Sequence, residues 1–390
     1  MSGRDLFCQP RRIRRGATLT LVFAGVLVTG AATGSFPEAG QPTRKPAFGP
    51  AATVTTPHED VQKAAAEAAA DGKSPMEAAE RAVSRSGDRW GAVYSEGEYQ
   101  EFQEALDGKY TGVGLWARRE QDGRIEVTKV QPDSPAAQAG IREGDRLTSV
   151  DGSKVDGRPV TDVVSLLRGD ADDAAAGTTV TLGLRRGTRA WSEKLRRASL
   201  STDSVTVRRL PGGVTVIKIA AFTKGSGDAV RAAVREAPAD AGIILDLRGN
   251  SGGLVTEAVE TSSAFLDGGL VATYDVDGAP RSLHADPGGD TTRPLVALVD
   301  GGTMSAAEML TGALQDRGRA VVIGSRTFGK GSIQMPTELP DGSVAELTVG
   351  HYRTPSGHAV DGRGITPDLE AGADAPKRAE TVLTGLGDAD

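Results

Sequence analysis

The stretch from Leu295 to Gln334, LVALVDGGTMSAAEMLTGALQDRGRAVVIGSRTFGKGSIQ, constrains the fold of this chain more than any other. Leu295–Val299 is an uninterrupted apolar run, the pattern of a buried strand. A tight Asp300-Gly301-Gly302 turn follows, and Ser305 opens an amphipathic helix with Ala306, Met309, Leu310, Ala313 and Leu314 at helical spacing. Gly318 ends that helix, and Ala320–Ile323 reads as a second buried strand running into the glycine turn Thr327–Gly331. A serine at a strand-to-helix turn sits where backbone N–H groups point at it. A lysine in a glycine loop leaving the next strand can come to lie beside that serine. Serine with lysine as its base is a known nucleophile–base pair, so Ser305 and Lys330 are the first candidate residues.

The preceding stretch repeats the pattern. Residues 205–222 give two strands about the turn Pro211-Gly212-Gly213, and a helix runs from Gly227 to Arg235. Gly242–Leu245 lacks polar alternation, as in a strand buried on both faces. It enters Asp246-Leu247-Arg248-Gly249-Asn250-Ser251-Gly252-Gly253-Leu254 and a helix through Phe265. Alternating strands and helices imply an α/β core with a partly parallel sheet. The turns holding Gly252, Ser305 and Lys330 all follow strands, so they can converge at one end of it.

Residues 107–197 have a different texture. Short strand-like runs, Ile125–Val130, Arg146–Val150 and Thr179–Leu184, alternate with the helices 134–140 and Val160–Leu167. The features G-V-G-L at 112–115, S-P-A-A-x-A-G at 134–140 and G-D-R-L-x-x-V-D-G at 144–152 together resemble a PDZ domain. Glycines let successive N–H groups face one concavity, a nest suited to a carboxylate. Gly112, Val113, Gly114 and Leu115 are therefore the candidate residues for holding a peptide's C-terminus.

Upstream, four arginines at 11, 12, 14 and 15 precede the uncharged stretch Ala17–Ala32, a basic then apolar arrangement typical of a secretory signal. Residues 1–34 are read as a signal peptide or an uncleaved membrane anchor, which implies export, and the Pro/Gly/Ala/Thr-rich 35–57 as a linker. Residues 58–106 hold three short helices, 58–70, 75–86 and 96–106, whose apolar stripes need another surface to cover them. Residues 198–375 make up the α/β core and 376–390 a tail. The net charge of −7, with both signs interspersed, argues against a nucleic-acid binder. The single cysteine, Cys8, permits no disulfide within the chain.

Two other chemistries fit fragments of the sequence. Gly249-Asn250-Ser251-Gly252-Gly253 matches G-x-S-x-G, with His351 or His358 and Asp300 or Asp361 as further members of a triad. That reading requires a helix to start on two glycines, and all four histidines lack supporting context. Gly324–Lys330 matches a phosphate loop, but Gly331 stands where Ser or Thr is needed, and Pro336 blocks the helix that should follow. No H-E-x-x-H motif or Cys/His cluster suggests a metal, and no cofactor is implied.

The segments DLRGNSGGL (246–254), VDGGTMSAAEMLTGALQD (299–316), TFGKGSIQ (327–334), GRGITPD (362–368) and SEGEYQEFQEALDGKYTGVGL (95–115) are similar to those of the carboxyl-terminal-processing, or tail-specific, serine proteases. The resemblance covers about residues 58–370. It implies Ser305 as nucleophile, Lys330 as general base, Gln334 orienting the lysine, and an oxyanion hole from the N–H of Ala306 and of Gly252 or Gly253. One departure is Thr303-Met304-Ser305-Ala306-Ala307-Glu308, where Ser-Ala-Ser-Ala-Ser-Glu is common; Met304 bears on side-chain preference. Physical chemistry agrees with the roles. A free lysine titrates near ~10.4 and must fall by about 3 units, worth about 4 kcal/mol, to act as a base near neutrality. Burial among apolar strands and Phe328 supplies such a shift, and Gln334, two same-face steps along a strand, reaches the amine.

The expectation is therefore an α/β (mixed α+β) protease core preceded by a small PDZ β-domain and an N-terminal helical segment. The expected function is an exported serine endopeptidase acting on protein or peptide substrates with free C-termini. The competing expectation is a PDZ-bearing peptide-binding scaffold whose protease core is inactive. Membrane attachment would come from the N-terminal segment; the sequence carries no statement of oligomeric state.

Overall fold

The computed structural model describes residues 57–169, 175–276 and 279–387. The signal or anchor and the linker read from residues 1–56 lie outside the described residues.

Six strands form the sheet that positions the site. In spatial order they are Val205–Arg209, Thr215–Ile219, Ile243–Asp246, Leu295–Val299, Val321–Gly324 and Leu369–Glu370. The first pair is antiparallel and the rest are parallel. Every residue of Ile243–Asp246 and of Leu295–Val299 is buried, as expected for strands covered on both faces. The two-residue period divides them cleanly. Ile217, Ile243, Leu245, Ala297 and Val322 face a core shared with the helices Ser226–Glu236, Val255–Ser263 and Ala306–Asp316. Val216, Ile244, Val296, Leu298 and Ile323 face the opposite side. There they meet Ala375, Ala379 and Leu383, spaced four apart on the helix Ala375–Gly387. Residues 376–390 were expected to be a tail; through 387 they are instead a helix closing one face of the sheet, because those apolar positions line up on one side of it.

A second sheet places Ala92–Tyr94, Val344–Arg353, Gly269–Val276 and Ala279–Ala285 side by side, with Ser332–Glu338 also pairing Val344–Arg353. This sheet is what the N-terminal helices need. Val61, Ala65, Ala79, Ala82 and Val83 from Pro57–Ala70 and Pro75–Ser86 form one core with Leu339, Ala345 and Leu347. The third helix, Glu96–Leu106, has the capping box Ser95–Glu98 and stacks Phe102 on Tyr94, ring centroids 5.6 Å apart.

The strands Leu115–Arg119, Ile125–Val130, Arg146–Val150, Thr179–Arg186 and Arg189–Arg196 form a separate antiparallel sheet with its own core, including Ile125, Leu147, Val163 and Leu182. Its helices are Pro135–Gln138 and Val160–Arg168, and Lys109–Gly112 pairs with Ala198–Ser201 at its base.

Candidate active site

The three turns singled out from the sequence leave the C-terminal ends of adjacent parallel strands, and side chains fasten them to one another. Thr303 Oγ1 donates to the Leu247 carbonyl, while the Thr303 carbonyl accepts the Phe328 N–H, so one residue ties all three turns together. The Asp300 carboxylate accepts the Gly249 N–H at 2.9 Å.

Ser305 is the N-cap of the helix Ala306–Asp316 and has φ 52° and ψ −119°. A side chain with positive φ is strained by about 1–3 kcal/mol and persists only where its surroundings fix it. Here both of its backbone groups are pinned. Glu308 Oε2 accepts the Ser305 N–H at 3.0 Å, and Tyr352 Oη lies 2.9 Å from the Ser305 carbonyl oxygen. The same hydroxyl is 3.1 Å from the Lys330 carbonyl, so one proton is shared by two carbonyls. Burial raises the Tyr352 pKa well above its ordinary value, which keeps that proton in place.

Glu308, fully buried, joins the serine turn to the lysine turn. Its Oε2 accepts both the Ser305 N–H and the Lys330 N–H, the latter at 2.8 Å, and its Oε1 accepts Thr327 Oγ1 and the Gly329 N–H. Burial raises the Glu308 pKa against the lowering effect of these four donors. This role was not read from the sequence. The signal available was S-x-x-E at 305–308, which marks a helix start but not a carboxylate that also grips another turn.

Lys330 is half-buried. Loss of hydration holds its pKa below the ordinary lysine value, opposed by Glu346 and Asp88. Among the described residues its Nζ donates one hydrogen bond, to Gln334 Oε1 at 2.8 Å, and none to Ser305 Oγ. The expected contact with Gln334 is made, but by a different route from two steps along a strand. The strand starts at Ser332, beyond the lysine, and its pairing shifts register between Ile333 and Gln334.

The loop 249–253 leaves two amides, those of Ser251 and Gly253, without an acceptor among the described residues. Gly252 donates its N–H to Asn250 Oδ1 at 2.8 Å, and Asn250, fully buried, donates Nδ2 to the Ile219 carbonyl. Gly253 is exposed and its N–H engages no acceptor among the described residues, while its neighbours bond to Phe222. Gly253 has φ 131°, and a Cβ there would lie 2.3 Å from the Phe222 carbonyl, so only glycine fits. A Cβ on Gly252 would sit 2.9 Å from Ser305 Cβ and 3.4 Å from the Ala306 nitrogen, which measures how close this loop is to the serine. The Ala306 N–H likewise has no acceptor among the described residues.

The decoy motifs come apart. His351 lies 3.7 Å from Asp361 on the surface, and His358 bonds the Gly364 carbonyl; neither meets Ser251. Residues 332–338 are strand, not the helix a phosphate loop requires. Among the described residues no cluster of His, Cys, Asp and Glu could hold a metal, and no helix is long and apolar enough to cross a membrane.

At the other glycine loop, Gln131 and Ala136 donate their N–H groups to the Gly114 and Val113 carbonyls. The Val113 and Gly114 N–H groups engage no acceptor among the described residues. A Cβ on Gly114, φ 78°, would lie 2.2 Å from Ser134 Cβ, so any side chain there disrupts the loop itself.

Comparison with known proteins places these arrangements. Residues 213–371 match the model of peptidase family S41, and residues 126–186 match a PDZ domain model. Carboxyl-terminal-processing peptidase 3, chloroplastic, of Arabidopsis thaliana is 35% identical over 308 residues, 74% of this chain and 58% of that protein. A probable CtpA-like serine protease of Staphylococcus haemolyticus is 34% identical over 306 residues, 77% of this chain and 60% of that protein. The chain thus spans about three-fifths of the length of these relatives. Among solved structures, a photosystem II D1 C-terminal processing protease aligns with a TM-score of 0.51 and 27% identity, covering 86% of this chain and 98% of that one.

Proposed function

This chain belongs to the carboxyl-terminal-processing serine protease family and carries a PDZ domain, and from that premise we propose that it is an exported serine endopeptidase with a Ser305–Lys330 dyad. The PDZ loop Gly112–Leu115 holds the substrate's C-terminal carboxylate. Ser305 Oγ attacks the scissile carbonyl carbon while neutral Lys330 takes the hydroxyl proton. The oxyanion is received by the Gly253 and Ala306 N–H groups, since the Gly252 N–H is already spent on Asn250. The Lys330 ammonium then protonates the leaving amine, and water, deprotonated by the same lysine, hydrolyses the acyl ester.

One observation carries this reading. A half-buried lysine of lowered pKa sits on a turn whose backbone shares a carboxylate oxygen with the backbone of a strained serine. Export rests on the basic and apolar pattern of residues 11–32 and on the chloroplast and bacterial relatives.

A fluorophosphonate probe tests the dyad and separates it from a PDZ-bearing scaffold with a dead core. Wild type should label and cleave an unfolded protein substrate. Ser305→Ala should do neither while keeping its melting temperature. Labelling at Ser251, or cleavage by Ser305→Ala, overturns the assignment. Double substitution of His351 and His358, and treatment with EDTA, should leave activity within about twofold, the surface pair His351–Asp361 being worth little.

A further inference from the structure

Lys330 and Gln334 are not completed by the S41 region alone. The Trp90 carbonyl accepts Gln334 Nε2, and the Lys330 Nζ lies 5.3 Å from the centroid of the Trp90 ring. The ring also meets Phe328, centroids 5.7 Å apart, beside the lysine in the same glycine turn. Trp90 lies far from these residues in sequence and outside both matched regions. The turn that bears it is anchored: Asp88 accepts the Trp90 N–H at 3.0 Å, the Thr348 N–H at 2.7 Å and Thr348 Oγ1 at 2.8 Å. Thr348 pairs across the strands with Gln334.

We propose that Trp90 is a positioning residue for the lysine: its carbonyl fixes which end of the Gln334 amide faces Lys330, and its ring shuts the amine off from water. This rests on the dyad reading above. A carbonyl can only accept, so it draws the amide NH2 to itself and leaves Oε1 to Lys330. A neutral amine then spends an N–H on Gln334 and keeps its lone pair for the Ser305 proton. With the amide reversed, the NH2 would donate into that lone pair and quench the base. The charged groups facing this cluster are Glu346 from Val344–Arg353, Asp88 and Arg89 from the Trp90 turn, and Glu308, which holds the Lys330 N–H. Glu346, Asp88 and the face of the indole favour the ammonium, Arg89 stacks on the same indole, and loss of hydration, to which the ring adds by covering the amine, is the larger and opposing effect. A N-terminal segment displaced from the second sheet would therefore switch the base off without touching Ser305.

The test uses the full chain with Trp90→Ala, Trp90→Phe, Gln334→Glu and Lys330→Ala. Trp90→Ala should lower kcat about tenfold with KM within twofold, as expected for a misplaced group. Its ascending pH–rate limb should move up by about one unit as the lysine regains water. Trp90→Phe keeps a ring over the amine and should restore both. Gln334→Glu, which cannot donate to the Trp90 carbonyl and holds the lysine as ammonium, should move the limb up as well. Should Trp90→Ala unfold, fluorophosphonate labelling of Trp90→Leu against pH reads the same limb. A limb and kcat equal to wild type in Trp90→Ala or Trp90→Leu, with Lys330→Ala inactive, overturns the role of the Trp90 ring, and a limb unmoved in Gln334→Glu overturns that of its carbonyl, which every substitution at 90 keeps. Activity in Lys330→Ala overturns the dyad itself.

Discussion

The loops 249–253 and 112–115 are both glycine-rich, and they differ in how their amides are held. In 249–253 three amides are consumed: Gly249 bonds Asp300, Asn250 bonds the Leu247 carbonyl, and Gly252 bonds Asn250 Oδ1, leaving Ser251 and Gly253. In 112–115 the carbonyls are consumed, by Gln131 and Ala136, and the Val113 and Gly114 amides stay open together. The difference suits two different anions. A developing oxyanion is one atom and needs two donors fixed before it forms, in the proposed mechanism Gly253 and Ala306. A terminal carboxylate has two oxygens and arrives already charged, so a run of open amides serves it. On the proposed mechanism the first loop has to match a state that exists only in passing. The second has only to be accessible.

The strongest way to break this comparison is at the dyad. Ser305→Ala should cost on the order of 10⁶-fold in kcat, and Lys330→Ala about 10⁴-fold as a lost general base. Lys330→Arg should fail equally, because guanidinium does not give up its proton. Lys330→Met sharpens the point through stability. The folded Lys330 pKa is below its ordinary value, so between the two values the unfolded chain binds more protons and stability rises with pH. Below that window the buried ammonium destabilises the fold. Lys330→Met should therefore be inactive yet melt no lower than wild type at pH 7, the gap closing as pH approaches about 10. A clearly lower melting temperature would show that the lysine stabilises the site rather than straining it.

Next in size is Glu308, which joins the serine turn to the lysine turn. Glu308→Gln puts an NH2 either on the Oε2 side, facing two backbone N–H groups, or on the Oε1 side, facing the Gly329 N–H and the Thr327 hydroxyl. It should cost about 1–3 kcal/mol of stability in urea and about 10²-fold in kcat, because the serine and lysine turns lose part of the carboxylate they share. Fluorophosphonate labelling at the wild-type rate would mean the strained Ser305 backbone holds itself.

How much of this was legible in the sequence follows the range of the interactions. The parallel strands declared themselves because burial on both faces leaves uninterrupted apolar runs, as in Leu295–Val299. The turns at 249–253 and 327–331 were visible because glycine has no other common use there. Val344–Arg353 went unread: its exposed and buried positions alternate imperfectly, with partners on both sides and a register shift opposite Gln334. Trp90 and Tyr352 went unread as well, since each meets the site through backbone carbonyls rather than through a motif. Glu308 was present in the quoted stretch, but its spacing marks only a helix cap. The C-terminal helix was hidden because five apolar residues in thirteen, two of them alanines, look like a tail until a sheet face is there to receive them.

The smallest expected effect tests the open loop. Amidating a substrate's C-terminus removes a charge that the Val113 and Gly114 amides would otherwise meet, a hydrogen bond to a charged group being worth about 1.5–3 kcal/mol. Cleavage of an amidated protein tail should therefore fall about tenfold in kcat/KM, with kcat at saturation nearly unchanged if the loop only delivers the chain. If kcat falls too, the carboxylate also shifts the site between two states, which requires that it bind them unequally. Gly114→Ala is the control. Its Cβ would meet Ser134 at 2.2 Å and displace the loop, so the variant should cut free-acid and amidated substrates alike, both at the slower rate. Because that clash acts through shape, a charged replacement at Gly114 cannot separate repulsion from collapse, and the substrate must carry the comparison instead. Equal rates for the two substrates in wild type would leave the open amides without a ligand, and the difference between the two loops would reduce to one of packing.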